Sequence, residues 1–140
     1  MTMRPQWPAL TLGVLVFFCR CDSTEGVKQV RSTADLQSII ARIENGNPRG
    51  SVADVERIVS AAVANVHGGN DPWGHPYVWR VRAGATGVSY VVLSTGSDGQ
   101  LDVPAIDEYF TKVGQEVLRS SEHQRDIVFR DGDAVVTGGK

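Results

Sequence analysis

The chain has 140 residues, of which 41% are apolar, an ordinary share for a single globular domain. Its formal net charge is −2, and residues of both signs are mixed along the chain, with no acidic or basic tail. Nucleic-acid binding would need a basic face, so this charge balance gives it no support.

The N-terminus carries a short, largely apolar block, Ala9–Phe18, which follows Arg4 and precedes polar residues. A bilayer-spanning helix needs about 20 apolar residues, whereas a run of about half that length is typical of a secretory signal. We therefore predict that residues 1–23 form a signal peptide or a membrane or lipid anchor, and that the protein is extracytoplasmic: periplasmic or membrane-anchored in a bacterial cell envelope. A buried core helix is the alternative, but the block has no polar face.

Both cysteines, Cys19 and Cys21, lie at the end of this block. Lipidation of either would make a lipoprotein, although Phe18 and Arg20 are larger than the residues expected before such a cut. Cleavage after Ser23 would instead remove both thiols, with small residues at the −3 and −1 positions. An uncleaved anchor is a third interpretation. A Cys-x-Cys metal site is the least favoured, since no further cysteine or paired histidine has ligand spacing.

Residues 24–31 are polar and include Gly26, which predicts a tether before a folded domain over residues 32–140. A first helix is predicted by apolar residues at i, i+3, i+4 and i+7 spacing, with Ser32 or Thr33 as N-cap. These apolar residues are Leu36, Ile39, Ile40 and Ile43. The residues around Gly46 end that helix.

A second helix is predicted to begin at Ser51, where the Ser51-x-x-Asp54 pattern resembles a capping box. Valine, isoleucine and alanine residues then recur at helical spacing up to Val66, and residues 67–70 stop the helix. The two helices are expected to pack antiparallel and to cover one face of a sheet.

A stiff turn over residues 71–76 follows, because Pro72 fixes φ and Pro76 lacks an N–H donor. The next residues, 77–82, alternate large apolar and polar side chains, as a half-buried strand does. Residues 87–93 are the predicted return strand. The pair ends in a Gly- and Asp-bearing loop whose small residues allow backbone carbonyls and a carboxylate to converge.

A third helix is predicted over residues 104–119, with Pro104 in its first turn. Its apolar side would carry Ile106, Tyr109, Phe110, Val113 and Val117. Such an inserted helix would be either a contact surface or an extra element packed on the sheet.

Residues 127–136 then predict a tight hairpin around Asp131-Gly132. The predicted fold is therefore α+β: N-terminal helices on a small antiparallel β-sheet, with an inserted helix before the last strands.

Four segments together resemble the C-terminal domain of the major pseudopilin of type II secretion systems. Residues 71–77 read DPWGHPY and residues 94–99 read STGSDG, where the family has a DPWGxPY turn and a hairpin closed by S-x-G-x-D-G. Residues 30–40 resemble the family's A-D-L-x-x-I helix, and residues 126–132 its D-I-V-F-x-D-G closing strand. These matches keep the family's order over residues 30–136.

The resemblance implies a calcium site, since the family's loop binds this ion with carboxylates and backbone carbonyls. Asp98 matches the D-G aspartate and Asp126 the D-I aspartate, while Leu93 is a candidate among the nearby carbonyls. Gln124 stands where the family has another carboxylate, a loss that should weaken binding and that Asp102 would offset if the longer loop folds back. Calcium needs six to eight oxygen ligands. The alternative is that Asp98 caps its turn and Asp126 ends a strand.

The N-terminus departs from the family pattern, which begins with a G-F-T-L-x-E motif. Residues 9–14 keep Thr11 and Leu12 but carry Ala9 for the glycine and Val14 for the glutamate. The family's glutamate is thought to neutralise the N-terminal amine of a neighbouring subunit in the fibre. Polymerisation is therefore not an expectation for this chain.

The resemblance implies a structural, non-enzymatic subunit or accessory protein of a type II secretion or type IV pilus-like system. Its partners would be other secretion-system or pilin-like proteins and a membrane contacted through the N-terminus, with no nucleic acid and no small-molecule substrate. The alternative is a stand-alone periplasmic or surface lipoprotein that uses the domain as a binding module. No G-x-S-x-G or His-x-x-x-His pattern points to an enzyme.

Overall fold

A computed structural model describes residues 21–138, with side chains from residue 24 onward. Helix α1 spans Cys21–Asn45 and helix α2 spans Val52–Ala64. Five strands follow: β1 (Val78–Gly84), β2 (Gly87–Ser94), β3 (Glu116–Leu118), β4 (Ile127–Arg130) and β5 (Asp133–Gly138).

Most of the predicted N-terminal signal or anchor, Cys19 included, lies outside the described residues. Cys21 is the first residue of α1, and its side chain is also outside the description. Among residues 21–138, no helix combines the length and apolar character that crossing a bilayer requires.

The five strands form one sheet in the order β1-β2-β4-β5-β3. Strands β1 and β2 pair antiparallel from Val78 opposite Leu93 to Gly84 opposite Gly87, as predicted, and β4 and β5 form the predicted second hairpin. Edge strand β3 pairs with β5 in parallel. The α+β class is therefore confirmed, and the sheet is mixed rather than wholly antiparallel.

Helix α1 begins earlier than its apolar spacing predicts. Residues 24–31, the predicted tether, are helical, so Ser32 and Thr33 lie inside the helix and neither is its N-cap. The reason is tertiary contact: Gln29 is only 1% exposed, and its Nε2 donates to the Arg119 carbonyl at 3.2 Å. Contacts from the far end of the chain therefore hold a polar stretch in the helix.

The start of α2 follows its local signal. Ser51 Oγ accepts a hydrogen bond from the Asp54 N–H at 3.2 Å, and Asp54 Oδ2 accepts one from the Ser51 N–H at 3.3 Å. This reciprocal pair is the predicted capping box. Val55 and Val59 point from α2 into the core.

The prediction of a helix over residues 104–119 is wrong. A 3₁₀ helix occupies only Ile106–Phe110, and the chain then straightens into β3. Gly114 adopts φ +85°, which a helix does not allow. Val113 is 94% and Val117 65% exposed, so neither contributes to the apolar face that their spacing indicates.

Both faces of the sheet are covered, which explains why the interior strand β2 is buried without interruption from Tyr90 to Ser94. On one face, the Tyr90 hydroxyl donates to Glu44 of α1 at 2.6 Å. On the other, the Arg82 guanidinium lies 4.0 Å from the centroid of the Phe110 ring. Arg130 Nη1 on that same face donates to three backbone carbonyls of the 3₁₀ helix and its C-terminal flank. The segment between β2 and β4 therefore serves as the second layer.

Candidate metal-binding site

Asp71 organises the turn that precedes β1. This carboxylate is buried, and its Oδ1 accepts hydrogen bonds from the N–H groups of Trp73 at 3.0 Å and His75 at 2.9 Å. Its Oδ2 accepts from the buried Ser94 hydroxyl at 2.7 Å. Because Ser94 is the last residue of β2, the turn is fastened to the start of the loop that contains Asp98.

That loop packs backbone against backbone on the residues before β4. Gly96 has φ +66°, and a Cβ atom there would lie 2.7 Å from the Arg125 carbonyl oxygen, so only glycine fits. The Ser97 N–H donates to the His123 carbonyl at 2.8 Å. This close approach brings the loop with Asp98 toward Asp126.

Asp126 is fully buried at the entrance to β4. Its Oδ2 accepts hydrogen bonds from the Tyr109 hydroxyl at 2.5 Å and from the Asp102 N–H at 2.9 Å. The hydrogen bonding is reciprocal, since Asp102 Oδ2 accepts from the Asp126 N–H at 2.9 Å. Among the described residues, Asp126 Oδ1 has no hydrogen-bond partner.

The charge of Asp126 is poorly compensated. Burial raises the pKa of Asp126 to about 6, hydrogen bonds from Tyr109 and the Asp102 N–H oppose this rise, and the negative charges of Asp102 and Asp98 add to it. An ionised Asp126 therefore has an unpaired, desolvated oxygen beside two like charges. A bound cation would supply both the missing partner and the missing charge.

The other predicted ligands are placed less favourably. Asp98 is exposed, and its Oδ1 accepts from the Gln100 N–H at 2.9 Å, so Asp98 does cap its turn. The Gln124 side chain is exposed, and the Gln124 backbone is the part that packs on Gly96. Leu93 lies within β2, opposite residues of both neighbouring strands.

The structure thus joins Asp102 to Asp126 directly, with Asp98 near enough to influence the Asp126 pKa. Among the described side chains, those of residues 24–138, no three from acidic residues, histidine or cysteine converge as a complete metal-ligand set. Calcium also uses carbonyl and water oxygens, so it does not need a set made of side chains alone. The orphaned Asp126 oxygen is the feature that fits a hard cation.

A polar cluster that the sequence did not reveal lies beside the loop. Ser97 Oγ is 2.8 Å from His123 Nδ1, and Glu25 Oε2 is 3.9 Å from the same nitrogen. In a serine hydrolase triad, the serine and the acid use different imidazole nitrogens. Here both approach Nδ1, so the cluster does not have triad geometry. Its contacts fasten α1 to the loop, and the hydrogen bond from Trp73 Nε1 to Glu25 fastens α1 to the turn before β1.

Comparisons with family models, with curated proteins and with solved structures each found no match for this chain.

Proposed function

We propose that this chain is a non-enzymatic, pseudopilin-like structural subunit or accessory protein of a secretion or pilus-like system of the cell envelope. We further propose that its loop over residues 94–102 and Asp126 bind calcium as a structural ion. The observation that carries the calcium assignment is the buried, partnerless Oδ1 of Asp126. Support for the family comes from the arrangement of the segments that resemble it. The β1–β2 hairpin lies beside the closing strand β4, and a hydrogen bond from Ser94 to Asp71 joins the loop to the turn.

Calcium suits the site better than other ions. The candidate donors are carboxylates and carbonyls on an irregular loop, and calcium accepts six to eight oxygens in flexible geometry. Magnesium requires a nearly ideal octahedron and gives up its water reluctantly. The exposed amide of Gln124, where the family has a carboxylate, suggests weak binding, with a dissociation constant of about 10⁻⁴–10⁻³ M.

Millimolar calcium should therefore raise the melting temperature of the protein by several degrees, because an ion that binds only the folded state stabilises it by mass action. Asp98→Asn should reduce this increment while preserving the turn cap, since asparagine keeps an oxygen for the Gln100 N–H. The measurement is thermal unfolding with and without calcium, and with magnesium as the comparison ion.

Asp107→Asn is the matched control, because Asp107 is an acidic residue whose ion pair is with Arg80 and not with a residue of the candidate site. Its calcium increment should equal that of the parent. A parent protein without any calcium response, or an Asp98→Asn variant that responds as the parent does, would argue against the site.

The extracytoplasmic location is tested by fractionation and intact mass. We expect the native protein in the membrane or periplasmic fraction, because residues 1–23 have the pattern of a signal or anchor. A diacylglyceryl cysteine would favour the lipoprotein alternative. A methylated residue near Leu10 would favour a subunit of a secretion or pilus-like system, and cleavage after Ser23 would indicate a form without an anchor. Recovery of full-length protein from the cytoplasm would contradict the proposal.

A further inference from the structure

Arg125 contacts the acidic cluster, which consists of Asp98, Asp102 and Asp126, through Asp102. Its Nε donates to Asp102 Oδ2 at 3.3 Å, and its side chain remains 35% exposed. The two terminal nitrogens donate to Glu116 of β3, Nη1 to Oε1 at 2.5 Å and Nη2 to Oε2 at 3.3 Å. Glu122 lies 3.9 Å from Nη1. One guanidinium therefore joins three acidic residues.

The Asp102 oxygen that Arg125 contacts is also the one that holds Asp126. Asp102 Oδ2 accepts from both the Arg125 Nε and the Asp126 N–H. The guanidinium thus neutralises Asp102 and leaves Asp126 Oδ1 without a partner. Among the described residues, Arg125 is the cation that forms an ion pair with Asp102.

We propose that Arg125 is a built-in counter-ion that holds the loop together without calcium and lowers the calcium affinity of the cluster formed by Asp98, Asp102 and Asp126. This inference rests on the calcium site proposed above. A fixed positive charge repels an incoming divalent ion, and the guanidinium competes with that ion for Asp102 Oδ2. The same charge stabilises the ion-free form through Asp102 and Glu116, whose pKa Arg125 lowers through its hydrogen bond.

The two roles predict that one substitution raises the calcium affinity and lowers the stability of the ion-free protein. Arg125→Gln removes the charge and keeps a polar side chain, so the calcium dissociation constant should fall by about tenfold. The melting temperature of the ion-free protein should fall at the same time, because Asp102 and Glu116 lose their partner. Isothermal titration calorimetry and thermal unfolding of the full chain measure the two quantities. A merely structural role for Arg125 would weaken calcium binding along with stability.

Arg80→Gln is the matched control, since Arg80 also forms an ion pair with an aspartate, at 3.5 Å, but lies away from the cluster. Its calcium affinity should equal that of the parent. Arg125→Lys, which keeps the charge, should also bind calcium nearly as the parent does. If Arg125→Gln does not fold, Arg125→Met removes the same charge while retaining an unbranched side chain.

Added potassium chloride should shrink the difference between parent and Arg125→Gln, because the guanidinium is partly exposed and screened by salt. Equal or weaker calcium binding by the folded Arg125→Gln protein, with calcium binding by the parent intact, would overturn the role of Arg125 alone. Absence of calcium binding in every form, Arg125→Gln included, would overturn the calcium site as well.

Discussion

Replacement of Asp71 by alanine is expected to lower the free energy of unfolding by about 3–4 kcal/mol. The substitution removes three hydrogen bonds to one buried carboxylate, which come from the Trp73 N–H, the His75 N–H and the Ser94 hydroxyl. The buried Ser94 hydroxyl and the two N–H groups of the turn would then lack an acceptor, and a buried donor without an acceptor is costly. Urea unfolding of the parent and the variant measures the difference.

Two further variants separate the contributions. Ser94→Ala removes only the link between the turn and β2, so it should cost about 1 kcal/mol. Asp71→Asn keeps an oxygen for the two N–H groups of the turn and should fall between the other two variants. An Asp71→Ala protein no less stable than Ser94→Ala would show that the hydrogen bonds from the Trp73 and His75 N–H groups to Asp71 do not stabilise the fold.

The calcium-free protein should lose stability as the pH rises from about 4 to about 6.5, by about 3 kcal/mol over the full titration of Asp126. The pKa of Asp126 is raised to about 6 in the folded state from an ordinary value of 3.8. The folded state therefore binds the proton more tightly than the unfolded state does in this window, and protonation favours folding. Denaturant unfolding at closely spaced pH values measures the slope.

The groups around Asp126 agree with this direction. Asp98 and Asp102 oppose its ionisation and raise its pKa, while hydrogen bonds from the Tyr109 hydroxyl and the Asp102 N–H favour the ionised form only in part. Carboxyls with lowered pKa values, such as Glu116, contribute stability that is lost at lower pH, as they are protonated below their ordinary range. A fall in stability with rising pH above about pH 5.5, where these carboxyls are already ionised in both states, thus identifies Asp126.

Asp126→Asn provides the test of that assignment. Asparagine keeps an oxygen for the Tyr109 hydroxyl and the Asp102 N–H but cannot ionise, so the stability should become nearly independent of pH in this window. Calcium should flatten the slope of the parent as well, because it binds the ionised carboxylate. An Asp126→Asn variant that keeps the slope of the parent would place its origin elsewhere.

The elements with local signals were predictable from the sequence. Ser51 and Asp54 mark the start of α2, and the Asp131-Gly132 pair marks the β4–β5 turn. The helix predicted over residues 104–119 failed because Ile106, Tyr109 and Phe110 fit a single 3₁₀ turn as well as an α-helix. Strand β3 has three residues, which is too short for its sequence alone to indicate a strand. It is held in the sheet by β5, which lies about twenty residues further along the chain.

In the candidate site too, some features were predictable from the sequence and others depend on contacts between distant residues. The resemblance pointed to Asp98 and Asp126, and the suggestion that Asp102 folds back toward them agrees with the reciprocal hydrogen bonds. The roles of Asp71 and Arg125 were not predictable from the sequence. The Asp71 partner Ser94 is 23 residues distant in sequence, and the Arg125 partner Glu116 lies in a segment that was predicted to be helical.

The parallel pairing of β3 with β5 dictates an order of assembly. Strand β3 is synthesised before β4 and β5, yet its place at the sheet edge exists only after β5 has paired with β4. Because β3 pairs only with β5, and joining distant segments costs chain entropy, we expect β3 to join the sheet after β5 has been synthesised. Glu116 reaches Arg125 through this strand. We therefore expect the contact between Glu116 and Arg125 to form only after β5 has been synthesised and has paired with β4.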